Sequence, residues 1–241
     1  MNSYNKLHIM LTFLVIVLAF FAYYFFKIMG TVKLSRLLIE ESIPFVIEST
    51  DMSKTMLVLG DSTAAGVGAK SGETSLPGFV ANEIKATAVE NYAFSGALVS
   101  DIPYELARAK RRDYDLILVQ VGANDIIRFH DADKSAVMLA EELKALPKHK
   151  KLIVIVAGNV GGASAIPWFL KAYYTHLTIR YHESFAKAIT GIGGVYVNLY
   201  TDPHLDPIVL LPKQYLAADG FHPSSLGYML WFEKMKYTLQ K

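Results

Sequence analysis

Five apolar runs recur along this chain, separated by segments long enough to hold a helix. They are Leu57–Gly60, Val89–Phe94, Leu116–Val121, Leu152–Val156 and Val195–Leu199. The strongest of them are nearly continuous in Leu, Ile and Val rather than alternating with polar residues, which suits strands buried on both faces. Helical patterns fall between them, at Leu76–Lys85, Ile102–Arg111, Lys134–Leu146 and Pro167–Ile189, and a last one covers Ser224–Leu239. Pro167 stands where a first-turn proline favours a helix start. This alternation predicts an α/β fold, a central parallel sheet of about five strands with helices on both faces.

A different pattern precedes the first run. Ile9–Phe26 is 18 residues long and apolar or aromatic except for Thr12. As a helix it reaches roughly 27 Å, close to the thickness of a bilayer core. Tyr23 and Tyr24 lie near its far end and Lys27 closes it, as in an interfacial belt. A cleaved signal peptide would have a shorter apolar region and a small-residue cleavage site; here Phe25, Phe26, Lys27 and Ile28 follow instead. Residues 1–30 are therefore expected to be an uncleaved single-pass anchor, with the membrane as partner through residues 9–26. Basic residues flank the span almost evenly (Lys6 before it; Lys27, Lys33 and Arg36 after it). A following domain on the periplasmic or extracellular side is the expectation. Residues 31–54 read as a linker or amphipathic segment. Leu34, Leu37 and Leu38 have helical spacing and Pro44 breaks it, which fits a short helix on the membrane surface or docked on the domain. The domain itself is expected over 55–241.

Composition excludes several classes of function. Formal charge is +2, from 24 basic and 22 acidic residues, so nothing electrostatic points to nucleic acid. Lys110-Arg111-Arg112 is followed by Asp113 and reads as a solvated helix end. The chain has no cysteine, which excludes disulfides, thiolate nucleophiles and cysteine-based metal sites. His176 and His182 are six residues apart on one helical pattern and do not share a face as metal ligands would. Gly66-Val67-Gly68 lacks the lysine of a phosphate-binding loop. No metal or organic cofactor is expected.

Four stretches can carry chemistry. The first run ends in Gly60-Asp61-Ser62, followed by small residues able to start a helix. A serine there stands at the carboxyl end of a strand, where open α/β sheets hold their ligands, and is a candidate nucleophile. Ser95-Gly96 follows the second run; a glycine there lets the backbone approach a ligand with its N–H inward. Gly122-Ala123-Asn124-Asp125 follows the third, and the Asn124 amide can serve as an oxyanion donor. Asp219-Gly220-Phe221-His222-Pro223 precedes the last helix. His222 can act as general base with Asp219 bonding its other ring nitrogen. Singly, each is most simply a turn.

In this order, the four stretches resemble the SGNH (GDSL-type) hydrolases, over roughly residues 55–240, and most nearly the small lysophospholipase, thioesterase and arylesterase members. The resemblance implies a flavodoxin-like three-layer α/β/α fold. It implies Ser62 as nucleophile, His222 as base and Asp219 as orienting acid, with an oxyanion hole from the Ser62 and Gly96 amides and the Asn124 side chain. The activity it implies is hydrolysis of carboxylic esters on a small ester or lipid-like substrate. An O-acyltransferase or carbohydrate O-deacetylase would use the same residues. A catalytically silent membrane-tethered binding module would be expected to have lost one of them. Gly158–Leu170, with Trp168 and Phe169, is expected to pack against the next helix, to line an acyl pocket or to touch lipid.

Overall fold

The computed structural model describes residues 3–240. The chain opens with helix α1 (Ser3–Glu41), continues into strand β1 (Thr55–Gly60), and alternates thereafter. Helix α2 (Leu76–Glu83) leads to β2 (Ala88–Asn91), and α3 (Ile102–Leu106) to β3 (Asp113–Gln120). Helices α4 (Ala123–Ile127) and α5 (Ala132–Glu142) precede β4 (Lys148–Ile155). Helix α6 (Trp168–Gly191) precedes β5 (Val195–Val197), and α7 (Pro207–Leu210), α8 (Pro212–Tyr215) and α9 (Ser225–Met235) complete the fold.

The five strands form one sheet, all parallel, in the order β2-β1-β3-β4-β5. This is the flavodoxin-like order, with its topological switch between β1 and β3. Side chains alternate across the sheet. Met56, Val58, Leu116, Leu118, Ile153 and Ile155 enter a core closed by α2 and α9, where Val80, Tyr228 and Phe232 meet them. Leu57, Leu59, Ile117, Val119, Leu152 and Val154 enter a second core under α3, α5 and α6, with Ile102, Leu139 and Phe185. Apolar demand on both faces is why these runs read as continuous. The result is the three-layer arrangement that the alternation of runs implies.

Element ends depart from the sequence reading where side chains are polar. β4 starts at Lys148 because its exposed first residues still pair with Asp113 and Tyr114 in register, and Lys150 Nζ meets Asp115 Oδ1 at 2.7 Å. α3 stops at Leu106, short of the basic cluster. Arg111 is not a solvated helix end: its Nε lies 2.9 Å from Glu90 Oε1. α5 begins earlier than expected, with the Asp131 carboxylate accepting from Lys134 N at 2.9 Å as its cap. β2 and β5 are shorter than their apolar runs, although Tyr92 N and Phe94 N continue to bond the Val58 and Gly60 carbonyls at 3.0 and 3.1 Å.

The N-terminal region differs most. No separate linker helix follows the apolar segment; α1 runs unbroken through Gly30 to Glu41. It is long and apolar enough to cross a membrane, a property that spans share with signal sequences. Tyr24, Thr31, Ser35 and Leu38 are half-buried while their helical neighbours are exposed. Steps of seven, four and three residues put them on one face. Leu38 joins the α2–α9 core, and the Phe20 and Tyr24 rings lie 5.6 and 5.1 Å from the Phe169 ring. After α1 the chain reaches the sheet edge, where Ile47 pairs with Val89.

Candidate active site

β1 ends in a glycine for a steric reason. Gly60 has φ +134°, and a Cβ there would stand 1.9 Å from the Gln120 carbonyl oxygen of β3. Asp61 N then donates to that same carbonyl at 2.9 Å. The small residues that follow form tight turns rather than the helix expected of them, with Ala65 N bonding Asp61 O and Val67 N bonding Ser62 O at 3.0 and 2.9 Å. The regular helix starts later, at Leu76. Asp61 turns inward and its Oδ1 accepts from the Thr63 amide and hydroxyl at 2.9 and 2.6 Å. Full burial pushes the Asp61 carboxyl up, against those two bonds.

Ser62 sits at the carboxyl edge of β1, buried beneath His222. His222 Nε2 lies 2.9 Å from Ser62 Oγ, and His222 Nδ1 lies 2.6 Å from Asp219 Oδ2. Asp219 Oδ1 accepts from the Phe221 and His222 amides at 2.9 and 3.0 Å. Burial alone would raise this carboxyl; the bonds from His222, Phe221 and Ser35 outweigh it and hold Asp219 below its ordinary value. The His222 loop is itself pinned. Ala217 N donates to His222 O at 2.8 Å and Ser224 N to Tyr215 O at 2.9 Å. Gly68, at φ +90°, passes so close that a Cβ would lie 2.4 Å from Pro223 O and 3.2 Å from His222 Cβ.

Two further loops follow β2 and β3, the strands on either side of β1, at the same carboxyl edge of the sheet. Asn124 Nδ2 donates to Ala97 O at 3.0 Å, leaving its second N–H free of that bond. Asp125 Oδ2 accepts from Val99 N at 3.1 Å, and its Oδ1 lies 3.2 Å from His130 Nδ1. These bonds lock the Gly96 loop to the Asn124 loop. Among the described residues, neither the Ser62 amide nor the Gly96 amide meets an acceptor in the protein.

Beside the serine lies an apolar cavity of about 40 Å³. Thr63, Ala123, Val160, Ile208, Phe221 and Trp231 line it. Gly158 and Ala163 also reach it, so part of the Gly158–Leu170 segment does border this space. Trp168 is 71% exposed, whereas Phe169 packs on α1. The histidines of α6 are apart from the site; His182 is buried and its Nδ1 meets the Tyr196 hydroxyl.

Ser35 was not legible as part of this constellation. Its hydroxyl donates to Asp219 Oδ2 at 2.7 Å, but in sequence it is one polar residue on a leucine-rich helix. The only available signal is its place on the face shared by Thr31 and Leu38.

The profile of the GDSL-like lipase/acylhydrolase family matches residues 58–230, well over half of the chain. The chain belongs to this family. A GDSL-like esterase of Mycobacterium tuberculosis is 27% identical over 186 residues, 73% of this chain. The match spans 58% of that relative's length. Among solved structures, a member of the lipolytic G-D-S-L family from Veillonella parvula superposes with a TM-score of 0.61 at 16% identity, covering 78% of this chain and all of that one. A lipase/acylhydrolase from Enterococcus faecalis gives a TM-score of 0.56 at 20% identity, covering 78% and 95%. At these identities the superpositions speak to the shared GDSL fold.

Proposed function

We propose that this GDSL-family protein hydrolyses carboxylic esters through an acyl-enzyme on Ser62. The observation that carries the reading is the continuous chain from Ser62 Oγ through His222 to Asp219, at 2.9 and 2.6 Å. His222 Nε2 takes the hydroxyl proton as Ser62 Oγ attacks the ester carbonyl carbon. Charge develops on the carbonyl oxygen, toward which the Ser62 and Gly96 amides and the Asn124 amide can donate. The C–O bond to the alcohol breaks, and His222 returns its proton to the departing alkoxide. Water, deprotonated by His222, then attacks the acyl carbon; the bond from that carbon to Ser62 Oγ breaks, His222 returns the proton to Oγ, and the acid is released. Asp219 keeps Nδ1 protonated and opposes the positive charge that His222 carries in each step.

The adjoining apolar cavity, bordered by Ile208, Phe221 and Trp231, supports an apolar acyl group as the part of the substrate held beside Ser62. The apolar length of α1 supports membrane anchoring through residues 9–26.

The test is hydrolysis of p-nitrophenyl esters from acetate to octanoate by the full chain and by Ser62→Ala. Loss of turnover in the variant is expected, and the parent's profile across the series gives the acyl length that the site takes. Equal rates would end the esterase reading. A reporter fused after Lys241 reports which side of the membrane the domain occupies.

A further inference from the structure

The Asp219 carboxylate accepts four hydrogen bonds, as many as its lone pairs allow. Three come from its own loop: the Phe221 and His222 amides on Oδ1 and the His222 ring on Oδ2. The fourth arrives from 184 positions away, where the Ser35 hydroxyl of α1 reaches Oδ2 at 2.7 Å. The Asp219 side chain is 0% exposed. Ser35 is half-buried on the helical face that also seats Thr31 and Leu38 against the domain.

We propose that Ser35 is a positioning residue for the hydrolytic reaction, and that α1 is thereby a component of the catalytic assembly as well as an apolar anchor. The inference rests on the reading of Ser62, His222 and Asp219 given above. Sealing a carboxylate from water strengthens its attraction for a charged imidazole. Sealing also strands any lone pair left without a donor. Ser35 supplies that donor on the very oxygen that His222 uses, so Oδ2 stays aimed at Nδ1 while the imidazolium forms and discharges. Ser35 does not border the cavity beside Ser62. Its contribution therefore falls on turnover rather than on substrate binding. The helix must also be seated for the hydroxyl to arrive, which couples turnover to the position of the apolar segment.

The decisive pair of variants is Ser35→Thr and Ser35→Val, equal in shape and differing in the hydroxyl. They are compared with Ser62→Ala in the full-length protein in detergent micelles, with kcat and KM measured for p-nitrophenyl acetate. Ser35→Val is expected to lose about tenfold in kcat, the scale of one hydrogen bond to a charged group, with KM within about twofold of the parent. Ser35→Thr is expected to keep kcat within about twofold, since it restores the donor. Equal kcat in the two variants, whether both intact or both reduced, would overturn the inference, as would a change confined to KM. If Ser62→Ala retained full turnover, the esterase reading itself would fall and the Ser35 role with it. Thr31→Val, on the same face without a bond to Asp219, is expected to leave kcat unchanged; an equal loss there would assign the effect to seating of the helix and refute a role for the hydroxyl.

Discussion

Tyr228 donates its hydroxyl to the Val67 carbonyl at 2.7 Å, across 161 positions of sequence. The bond ties α9 to the turn behind Ser62, and α9 begins immediately after the His222 loop. One buried phenol thus sets the serine turn and the histidine loop in register. Tyr228→Phe keeps the packing and leaves a buried carbonyl without its donor. Destabilisation of about 1–3 kcal/mol is expected, read as a lowered midpoint in urea unfolding, together with reduced turnover. A variant of parental stability would show that the backbone of the turn finds another partner.

Asp219→Asn should cost far more than the loss of one charge suggests. The Phe221 and His222 amides hold Oδ1 as an acceptor, so an asparagine turns its NH₂ toward His222 Nδ1. That selects the imidazole tautomer whose Nε2 carries a proton and cannot accept one from Ser62. Loss of about 10⁴-fold in kcat is expected, as in other serine triads, close to the effect of His222→Ala. Kinetics at pH 7 on both variants check this; a mild effect in Asp219→Asn would mean that the amide adopts the other orientation.

Glu105 makes the fold sensitive to pH from beneath β1. It is 0% exposed, and its Oε2 accepts from Gly60 N at 2.6 Å. Burial pushes its carboxyl up from 4.5 to about 8, against the Gly60 bond. A folded value above the unfolded one means that the native state holds the proton more tightly. Its stabilising effect is complete below pH 4.5 and declines as the pH rises to about 8. Glu105→Gln keeps the acceptor and removes the titration. The variant is expected to be more stable than the parent at pH 8, by on the order of a few kcal/mol, with the gap closing near pH 5. Thermal melts across that range measure it, and a gap independent of pH would refute the assignment.

Chain-length preference should follow the cavity beside the serine. Ile208 and Trp231 both border its apolar volume. Ile208→Ala removes buried methyl and methylene groups and enlarges it. The optimum among p-nitrophenyl esters is expected to shift to longer acyl chains, at a stability cost of about 2–5 kcal/mol. An unchanged profile would show that the acyl group lies elsewhere.

Gly68→Ala is expected to damage catalysis before it damages the fold. A side chain there would press on Pro223 O and His222 Cβ and would need φ +90°. Displacing the imidazole from Ser62 should lower kcat by at least tenfold, on the order seen for small misplacements in active sites. The far-ultraviolet circular dichroism spectrum should stay unchanged. Full activity would mean that the Pro223 loop gives way without moving the histidine.

Much of this architecture was determined locally. Continuous Val, Ile and Leu runs can satisfy their side chains only between two helical layers, so the runs at 57, 116 and 152 fixed the parallel sheet. Gly60-Asp61-Ser62, Gly122-Ala123-Asn124-Asp125 and Asp219-Gly220-Phe221-His222 were visible because tight turns at strand ends restrict which residues fit. Strand ends were less visible: Lys148–Lys151 pairs through backbone atoms, which carry no side-chain signature. Whether a serine and a histidine 160 positions apart come within 2.9 Å was a matter for the tertiary structure. So was the bond from Ser35 to Asp219. The apolar pattern of α1 records its affinity for a nonpolar solvent, whereas the docking of one hydroxyl depends on the angle and depth at which the helix meets the domain, and no local preference encodes either.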